Sequence, residues 1–271
     1  MTAPAPASTF SDVAGPGPAP AAAAAKLTFL RALRGEWIKL TTVSSTWWSI
    51  AITIVLTVGM SALIAFTAEG MPAIQAVILP IQFAMLLAGI LGAISVTGEY
   101  STGMIRSTLI ANPVRGSVLA AKVLAVAILM FVSSLLMFGT SALIVSAVMS
   151  PGIDWADATT STLPLVLSAL TMSVIAVIGA SLGFVIRAGA GAIAAVVGLL
   201  FVAPIAASLF SLAGESLRWI VDASRYLPSE AARGAILEGG ALEQPVSWGA
   251  LAGWMVAGLV GAWVSLRGRD A

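Results

Sequence analysis

Six long runs of apolar residues, separated by short polar connections, constrain this chain more than any other feature. Each run is long enough to cross the hydrocarbon core of a bilayer, which takes about 20 residues of α-helix. Because 59% of the 271 residues are hydrophobic and only 9% are charged, a water-soluble fold would leave far too much apolar surface exposed. We therefore predict an all-α integral membrane protein with six transmembrane helices. The predicted spans are Thr46–Ala68, Ala73–Gly98, Ser117–Met149, Leu163–Ile186, Ala190–Leu212 and Val246–Leu266.

The N-terminal segment has a different composition from the rest of the chain. Residues 1–26 are mostly Ala, Pro and Gly, which predicts a disordered tail because such residues supply little apolar surface for a core. The first charge is Asp12, and the cationic start and Leu-rich stretch of a signal peptide are missing. We divide the chain into this tail and one six-span membrane domain, residues 27–271.

An amphipathic segment, LTFLRALRGEWIKLTT at 27–42, precedes the first span. Its Leu and Trp residues recur at steps of three and four, while its cations occupy other faces. The pattern predicts an N-terminal interfacial helix with Trp37 at the lipid headgroups and Lys39 near an anionic leaflet. A simple surface anchor and a contact with a partner protein agree equally well with this pattern.

The segment from Glu99 to Lys122, EYSTGMIRSTLIANPVRGSVLAAK, is the one internal stretch where a charged, helix-compatible sequence lies between two long apolar runs. Glu99 and Arg106 fall on the same helical face, and Asn112-Pro113 ends the helix. Several apolar residues give this helix a surface that suits either the membrane or a groove on another protein. They are Met104, Ile105, Leu109 and Ile110. An ordinary polar loop is the alternative interpretation.

The distribution of Lys and Arg predicts the orientation of the spans. With both termini in the cytoplasm, 10 of the 13 cations fall on the cytoplasmic side, as the positive-inside rule requires. They are Lys26, Arg31, Arg34, Lys39, Arg106, Arg115, Lys122, Arg187, Arg267 and Arg269. The other three, Arg218, Arg225 and Arg233, lie in the long external connection Glu215–Gln244. The segment 99–122 is then cytoplasmic.

Residue types that are missing exclude several kinds of chemistry. The chain has no cysteine and no histidine, which removes disulfides, thiol and histidine catalysis and most zinc sites, so we predict no metal site. It also lacks the G-x-x-x-x-G-K-[ST] phosphate loop. We therefore predict that the chain is not an enzyme and carries no cofactor, and that any transport takes its energy from elsewhere.

The polar content of the spans bears on whether ions drive transport. No Asp, Glu, Lys or Arg lies in the middle of a predicted span, which argues against an ion-coupled carrier. Gln75 and Gln82 lie seven residues apart in the second span, share a helical face and are expected to turn inward. They either contact another helix or line a path. In the fifth span, Pro204 predicts a kink.

Four segments, in this order, resemble the permease subunits of type-2 ATP-binding-cassette transporters. They are GEWIKLTTVSSTWW, EYSTGMIRSTLIANPVRGSVLAAK, GASLGFVIRAGAGAIA and RYLPSEAARGAI. They are similar to the family's Glu-x-x-Lys elbow helix, its first cytoplasmic loop, its short fourth-to-fifth connection and its external Leu-Pro-Ser motif. The resemblance covers about residues 27 to 266. Ser101-Thr102 depart from the family, where longer polar or charged residues are frequent.

The resemblance implies a bacterial plasma-membrane permease subunit, an exporter, that forms the translocation path. It implies that two six-span permeases, identical or homologous, associate in the lipid bilayer, and that each docks a separate ATPase that binds ATP and Mg. Docking would use a coupling helix between spans 2 and 3, and we expect no nucleic-acid partner. The residues placed there by the resemblance are Glu99, Tyr100, Gly103, Met104, Ile105 and Arg106, with Glu36, Trp37 and Lys39 in the interfacial helix. A membrane scaffold or immunity protein, or an ion-coupled secondary carrier, is the alternative.

Overall fold

The computed structural model describes residues 28–68, 70–210, 217–237 and 239–268, and all regular secondary structure in these ranges is helical. The predicted tail at 1–26 lies outside the described residues. The helices are α1 Phe29–Thr42, α2 Ser44–Thr67, α3 Ala73–Ile78, α4 Ile81–Ser101, α5 Met104–Ala111, α6 Arg115–Val148, α7 Thr162–Ile186, α8 Gly189–Val197, a π-helical segment Gly198–Val202, α9 Ala203–Phe210, α10 Arg218–Ser224, α11 Pro228–Gly234 and α12 Gln244–Gly268.

Six helical segments are long and apolar enough to cross a membrane, which confirms the predicted number of spans. They are α2, α3 with α4, α6, α7, α8 with α9, and α12. The boundaries move by a few residues, so that the third span begins at Arg115 and the sixth at Gln244. With 34 residues, α6 is about 51 Å long, well over the roughly 30 Å of a hydrocarbon core, so its ends reach beyond the apolar layer.

The centre of the bundle is the crossing of α4 and α7, where the two backbones touch. A Cβ atom added at Gly92 would collide with the carbonyl oxygen of Ala176, and one added at Gly179 would collide with that of Gly89. Small residues allow this close approach, as in other membrane helix pairs. Against this pair pack α6 and α12, and Ser173 Oγ of α7 donates a hydrogen bond to the Ala127 carbonyl of α6 at 3.0 Å.

The second span is broken near its start, which the sequence analysis did not predict. Pro80 has no N–H to continue the helical ladder, and the chain forms α3 up to Ile78 and a separate α4 from Ile81. Gln75 is exposed on α3, whereas Gln82 is partly buried on α4. The prediction that both glutamines turn inward is therefore wrong for Gln75, because the break at Pro80 ends the continuous helical face.

Pro204 follows a π-helical segment, Gly198–Val202, in the fifth span. A proline cannot donate to the carbonyl four residues earlier, which here is the Leu200 carbonyl. That oxygen accepts a hydrogen bond from Gln82 Nε2 of α4 at 2.8 Å. The side chain of Gln82 therefore supplies the donor that Pro204 lacks, and of the two predicted roles for Gln82 the structure shows the helix contact.

Side-chain contacts bring four helix ends together on one side of the bundle. The Arg187 guanidinium, after α7, lies 5.1 Å from the centre of the Tyr100 ring at the end of α4 and donates to the Ser265 carbonyl of α12 at 2.7 Å. Arg115, at the start of α6, donates to the Leu266 carbonyl at 2.5 Å. We call this the α5 side, and the opposite side, with α10 and α11, the α11 side.

Candidate functional site

Four charged side chains from three helices meet on the α5 side. Glu36 and Lys39 lie one turn apart on α1, Glu99 lies in the last turn of α4, and Lys122 lies about two turns into α6. We call these four residues the charge cluster. Thr108 of α5 accepts a hydrogen bond from Lys39 through its hydroxyl group, so the contacts of the cluster connect α1, α4, α5 and α6.

The two lysines of the cluster bridge its two carboxylates. Lys122 Nζ contacts Glu36 Oε2 and lies 2.5 Å from Glu99 Oε1. Lys39 Nζ lies 2.8 Å from Glu36 Oε1 and 3.0 Å from Glu99 Oε1, and it donates to Thr108 Oγ1 at 3.0 Å. The three N–H donors of Lys39 are therefore all used. Glu99 Oε1 accepts from both lysines and is the common atom of the cluster.

Three of the four side chains in the cluster are buried, so the loss of one ion pair would cost more free energy than it would at the surface. Glu36 is 4% exposed, Glu99 7% and Lys122 1%. Removing such charges from water costs several kcal/mol per ion, and the cost is offset only when each charge is paired and hydrogen-bonded. The two positive and two negative groups balance in number. The cluster is therefore a fixed joint between α1, α4, α5 and α6.

Lys39 is the only cluster member that reaches solvent to any extent, with 29% of its side chain exposed. Burial disfavours its charged form, but hydrogen bonds and attraction from Glu36 and Glu99 outweigh this effect and raise the pKa of Lys39 above its ordinary value. The raised pKa keeps Lys39 an ammonium group throughout the neutral range, so its own ion pairs do not depend on pH there.

The chain turns sharply between α4 and α5 at Gly103. This glycine has a φ of +70°, in the left-handed region that residues with a Cβ rarely adopt. At the other end of α5, Asn112 Oδ1 accepts a hydrogen bond from the Val114 N–H at 3.2 Å. These two turns hold α5 as a short helix across the ends of α4 and α6.

The residues predicted for partner docking do not share one environment. Ile105 is only 3% exposed and packs inside the chain, so the idea that it enters a groove of a partner is wrong for this residue. Met104 is 46% exposed and Ile110 84%, and the side chain of Arg106 is exposed. Among the interfacial-helix residues, Trp37 is 36% exposed, whereas Glu36 is buried.

Lys122 is the cluster member whose contacts the sequence analysis did not predict. The sequence analysis counts it only among the cytoplasmic cations, whereas the structure shows it buried in α6, in contact with two carboxylates. The sequence did contain a sign of this role, because a lysine within a long apolar run needs a partner of opposite charge when the run is buried. The sequence left open which of the acidic residues that partner was, because Glu36 and Glu99 are distant from Lys122 along the chain.

A cavity of about 380 Å³ lies beside the cluster, between the start of α2 and the last three turns of α4. Lys39, Glu99 and Lys122 line its polar end. Leu91 and Ile94 line the part farther along α4, and Ile94 is 41% exposed. The site therefore offers buried charge at one end of the cavity and apolar surface at the other.

In the part of the chain that the structure describes, no group of metal-ligand side chains comes together that could hold a metal ion. The described helices define a multi-pass helical membrane protein with a buried ionic joint at one end of its bundle. No protein-family model matches the chain, and a search of the curated proteins found no match. The function must therefore be argued from the geometry.

Proposed function

We propose that this chain is the permease subunit of an ATP-binding-cassette exporter in a bacterial plasma membrane. In this proposal a separate ATPase, which binds ATP and Mg, docks on α5, the coupling helix, and a second permease subunit completes the translocation path. The α5 side faces the cytoplasm, with both chain termini. The N-terminal α1 lies in the inner interface and belongs to the same mechanical unit as α5.

The observation that carries this proposal is the charge cluster, because it ties a short helix between two spans to the spans themselves. A force applied to α5 reaches α1 and α4 through the contacts of Thr108 with Lys39 and of Lys39 with Glu99. It reaches α6 through Lys122. Coupling between distant parts of a protein travels through such packed, discrete contacts. A polar loop that only connects two spans would fold without a buried set of ion pairs linking it to those spans.

The exposed surface of α5 supports a docking role. Ile110 is 84% exposed, Val114 59% and Met104 46%, although these residues lie between spans and beside charged groups. Exposed apolar side chains at a connection between spans favour contact with a protein partner. Because Ile105 is buried beneath them, we assign the anchoring role to Ile110 and Met104 in its place.

The distribution of charge supports the proposed orientation. Of the Lys and Arg residues that the structure describes, eight lie on the α5 side. They are Arg31, Arg34, Lys39, Arg106, Arg115, Lys122, Arg187 and Arg267. Arg218, Arg225 and Arg233 lie on the α11 side. The positive-inside rule then puts α5 in the cytoplasm, where an ATPase would have access to it.

The experiment that tests the proposal compares Ile110→Asp with Arg106→Gln. Loss of an apolar anchor at an interface costs on the order of 2 kcal/mol, about a thirtyfold loss of affinity, whereas an exposed ion pair contributes roughly 1 kcal/mol or less. Ile110→Asp should therefore reduce co-purification of the partner ATPase much more than Arg106→Gln. Both variants should reach the membrane at wild-type abundance, because neither residue is buried.

The same preparations should be assayed for ATP hydrolysis and for export by the reconstituted complex. Normal docking and transport by Ile110→Asp would remove α5 from the coupling role and favour the membrane scaffold or immunity protein. Transport that follows an imposed ion gradient with no ATPase present would favour the secondary carrier.

A further inference from the structure

A small void lies between α2, α4 and α6, about half-way along α2. Its volume of about 10 Å³ gives room for one water molecule. Six apolar side chains line it, together with the three hydroxyl groups of Thr53, Ser133 and Ser134. A void with apolar walls alone would stay dry. The three hydroxyl groups therefore decide what this void can hold.

Two of these hydroxyl groups already donate their protons within their own helices. Thr53 Oγ1 donates to the Ser49 carbonyl at 2.7 Å, and Ser133 Oγ donates to the Leu129 carbonyl at 2.7 Å. A hydroxyl oxygen that has donated its proton keeps lone pairs that accept hydrogen bonds. Thr53 and Ser133 therefore supply the void with two acceptors, one from α2 and one from α6.

Ser134 differs from the other two because its hydroxyl group forms no hydrogen bond within the described residues. Its side chain lines the void, and the residue is only 2% exposed. The void lies near the middle of a membrane span, where bulk water is not available to a polar group. A buried hydroxyl group without a partner costs free energy. An acceptor inside the void would remove this cost.

We propose that this void binds one water molecule, which joins α2 to α6 in the middle of the membrane. The water donates one proton to Thr53 Oγ1 and the other to Ser133 Oγ, and it accepts the proton of Ser134. Three hydrogen bonds are the usual number for a buried water, and such a bridge is enthalpically nearly as good as a direct bond. The apolar part of α2 is only 28% buried, so the bridge contributes to holding the first span against the bundle. The site uses this chain alone and does not depend on the proposed transport function.

The test is radiolytic footprinting of the full chain in nanodiscs of saturated lipid. A short X-ray pulse splits water into hydroxyl radicals, and these oxidise nearby methionine side chains to sulfoxides, which peptide mass spectrometry locates. Met130 and Met137 line the void, whereas Met172 is buried elsewhere in the core. We expect oxidation of Met130 and Met137 but not of Met172. Met104, which is 46% exposed, serves as the positive control for bulk water.

A matched pair of variants separates the bound water from general access to the helix contact. Ser134→Val removes the donor and fills the void with methyl groups, so oxidation of Met130 and Met137 should fall to the level of Met172. Thr57→Val removes a buried hydroxyl group one turn further along α2, outside the void, and should leave their oxidation unchanged. Equal oxidation of the three methionines in the wild-type chain, or oxidation that persists in Ser134→Val, would overturn the proposal. If Ser134→Val fails to fold, the comparison of the methionines in the wild-type chain decides alone.

Discussion

At the scale of single residues, Lys122 determines whether the charge cluster is stable. Its ammonium group contacts both carboxylates of the cluster and is almost completely buried. Without it, Lys39 alone would have to neutralise two buried carboxylates from a partly exposed position. An ion pair of this kind adds little net stability compared with apolar packing, but the loss of one member leaves a buried charge unpaired.

We expect Lys122→Met to lower the free energy of unfolding by about 3–5 kcal/mol, the usual cost of breaking a buried ion pair. Unfolding by SDS in mixed micelles measures this change. Arg225→Met is the matched control, since Arg225 and Asp222 form an ion pair in which both side chains are at least half exposed, and its loss should cost about 1 kcal/mol or less. The double variant Lys122→Met with Glu99→Gln should recover part of the stability. Equal, small losses in the two single variants would show that the cluster is not a joint.

The charge cluster also shows where prediction from sequence stops. The pattern of Glu36 and Lys39 on one helix, and of Glu99 before a turn, was visible in the sequence. Their meeting with Lys122 depends on how α1, α4 and α6 pack, which no local pattern encodes. For the same reason Ile105 and Ile110 looked equivalent as apolar residues of one short helix, although one is 3% and the other 84% exposed.

At the scale of helices, the contact between α4 and the π-helical segment Gly198–Val202 compensates for a proline. Gln82 Nε2 donates to the Leu200 carbonyl, which Pro204 cannot do. Membrane helices tolerate proline when a neighbouring group satisfies the freed carbonyl. The sequence predicted a kink at Pro204 and an inward position for Gln82, but it did not connect the two residues. The hydrogen bond from Gln82 to the Leu200 carbonyl depends on the packing of α4 beside α8 and the π-helical segment.

We expect Gln82→Leu to lower the free energy of unfolding by about 1–3 kcal/mol, because it leaves the Leu200 carbonyl without this donor. Gln75→Leu is the matched control, since Gln75 is exposed, and should have little effect. In a Pro204→Ala background the restored N–H can bond to the Leu200 carbonyl, so Gln82→Leu should cost less there. A double-mutant cycle measured by SDS unfolding gives this coupling. Additive effects of the two substitutions would contradict the compensation.

At the scale of the whole molecule, the number and order of spans were predictable because hydropathy is a local property. About 20 apolar residues are needed for each crossing, wherever the helix packs. The spans nevertheless differ in the fraction of their apolar residues that is buried by the rest of the chain. The apolar part of α7 is 72% buried and that of α3 with α4 61%, whereas α8 with α9 is 17% buried and α12 22%. Lipid or another subunit must therefore cover the fifth and sixth spans.

The orientation of the molecule can be measured by thiol labelling, which the absence of cysteine makes clean. Ala111 lies exposed at the end of α5, whereas Ala158 and Ala241 are exposed in connections on the other side of the spans. Cysteines at positions 158 and 241 should react with an impermeant maleimide added to intact cells, because few cations lie near them. Ala111→Cys should react only after the cells are opened. Labelling of Ala111→Cys from outside would reverse the proposed topology.

The glycine-lined crossing of α4 and α7 limits the motions open to this bundle. With backbone against backbone at Gly89, Gly92 and Gly179, there are no intervening side chains whose rotation would let the two helices slide past one another. We therefore expect α4 and α7 to move as one rigid unit in any rearrangement of the bundle. A change at the α5 end of α4 would then reach the α11 side through both helices at once.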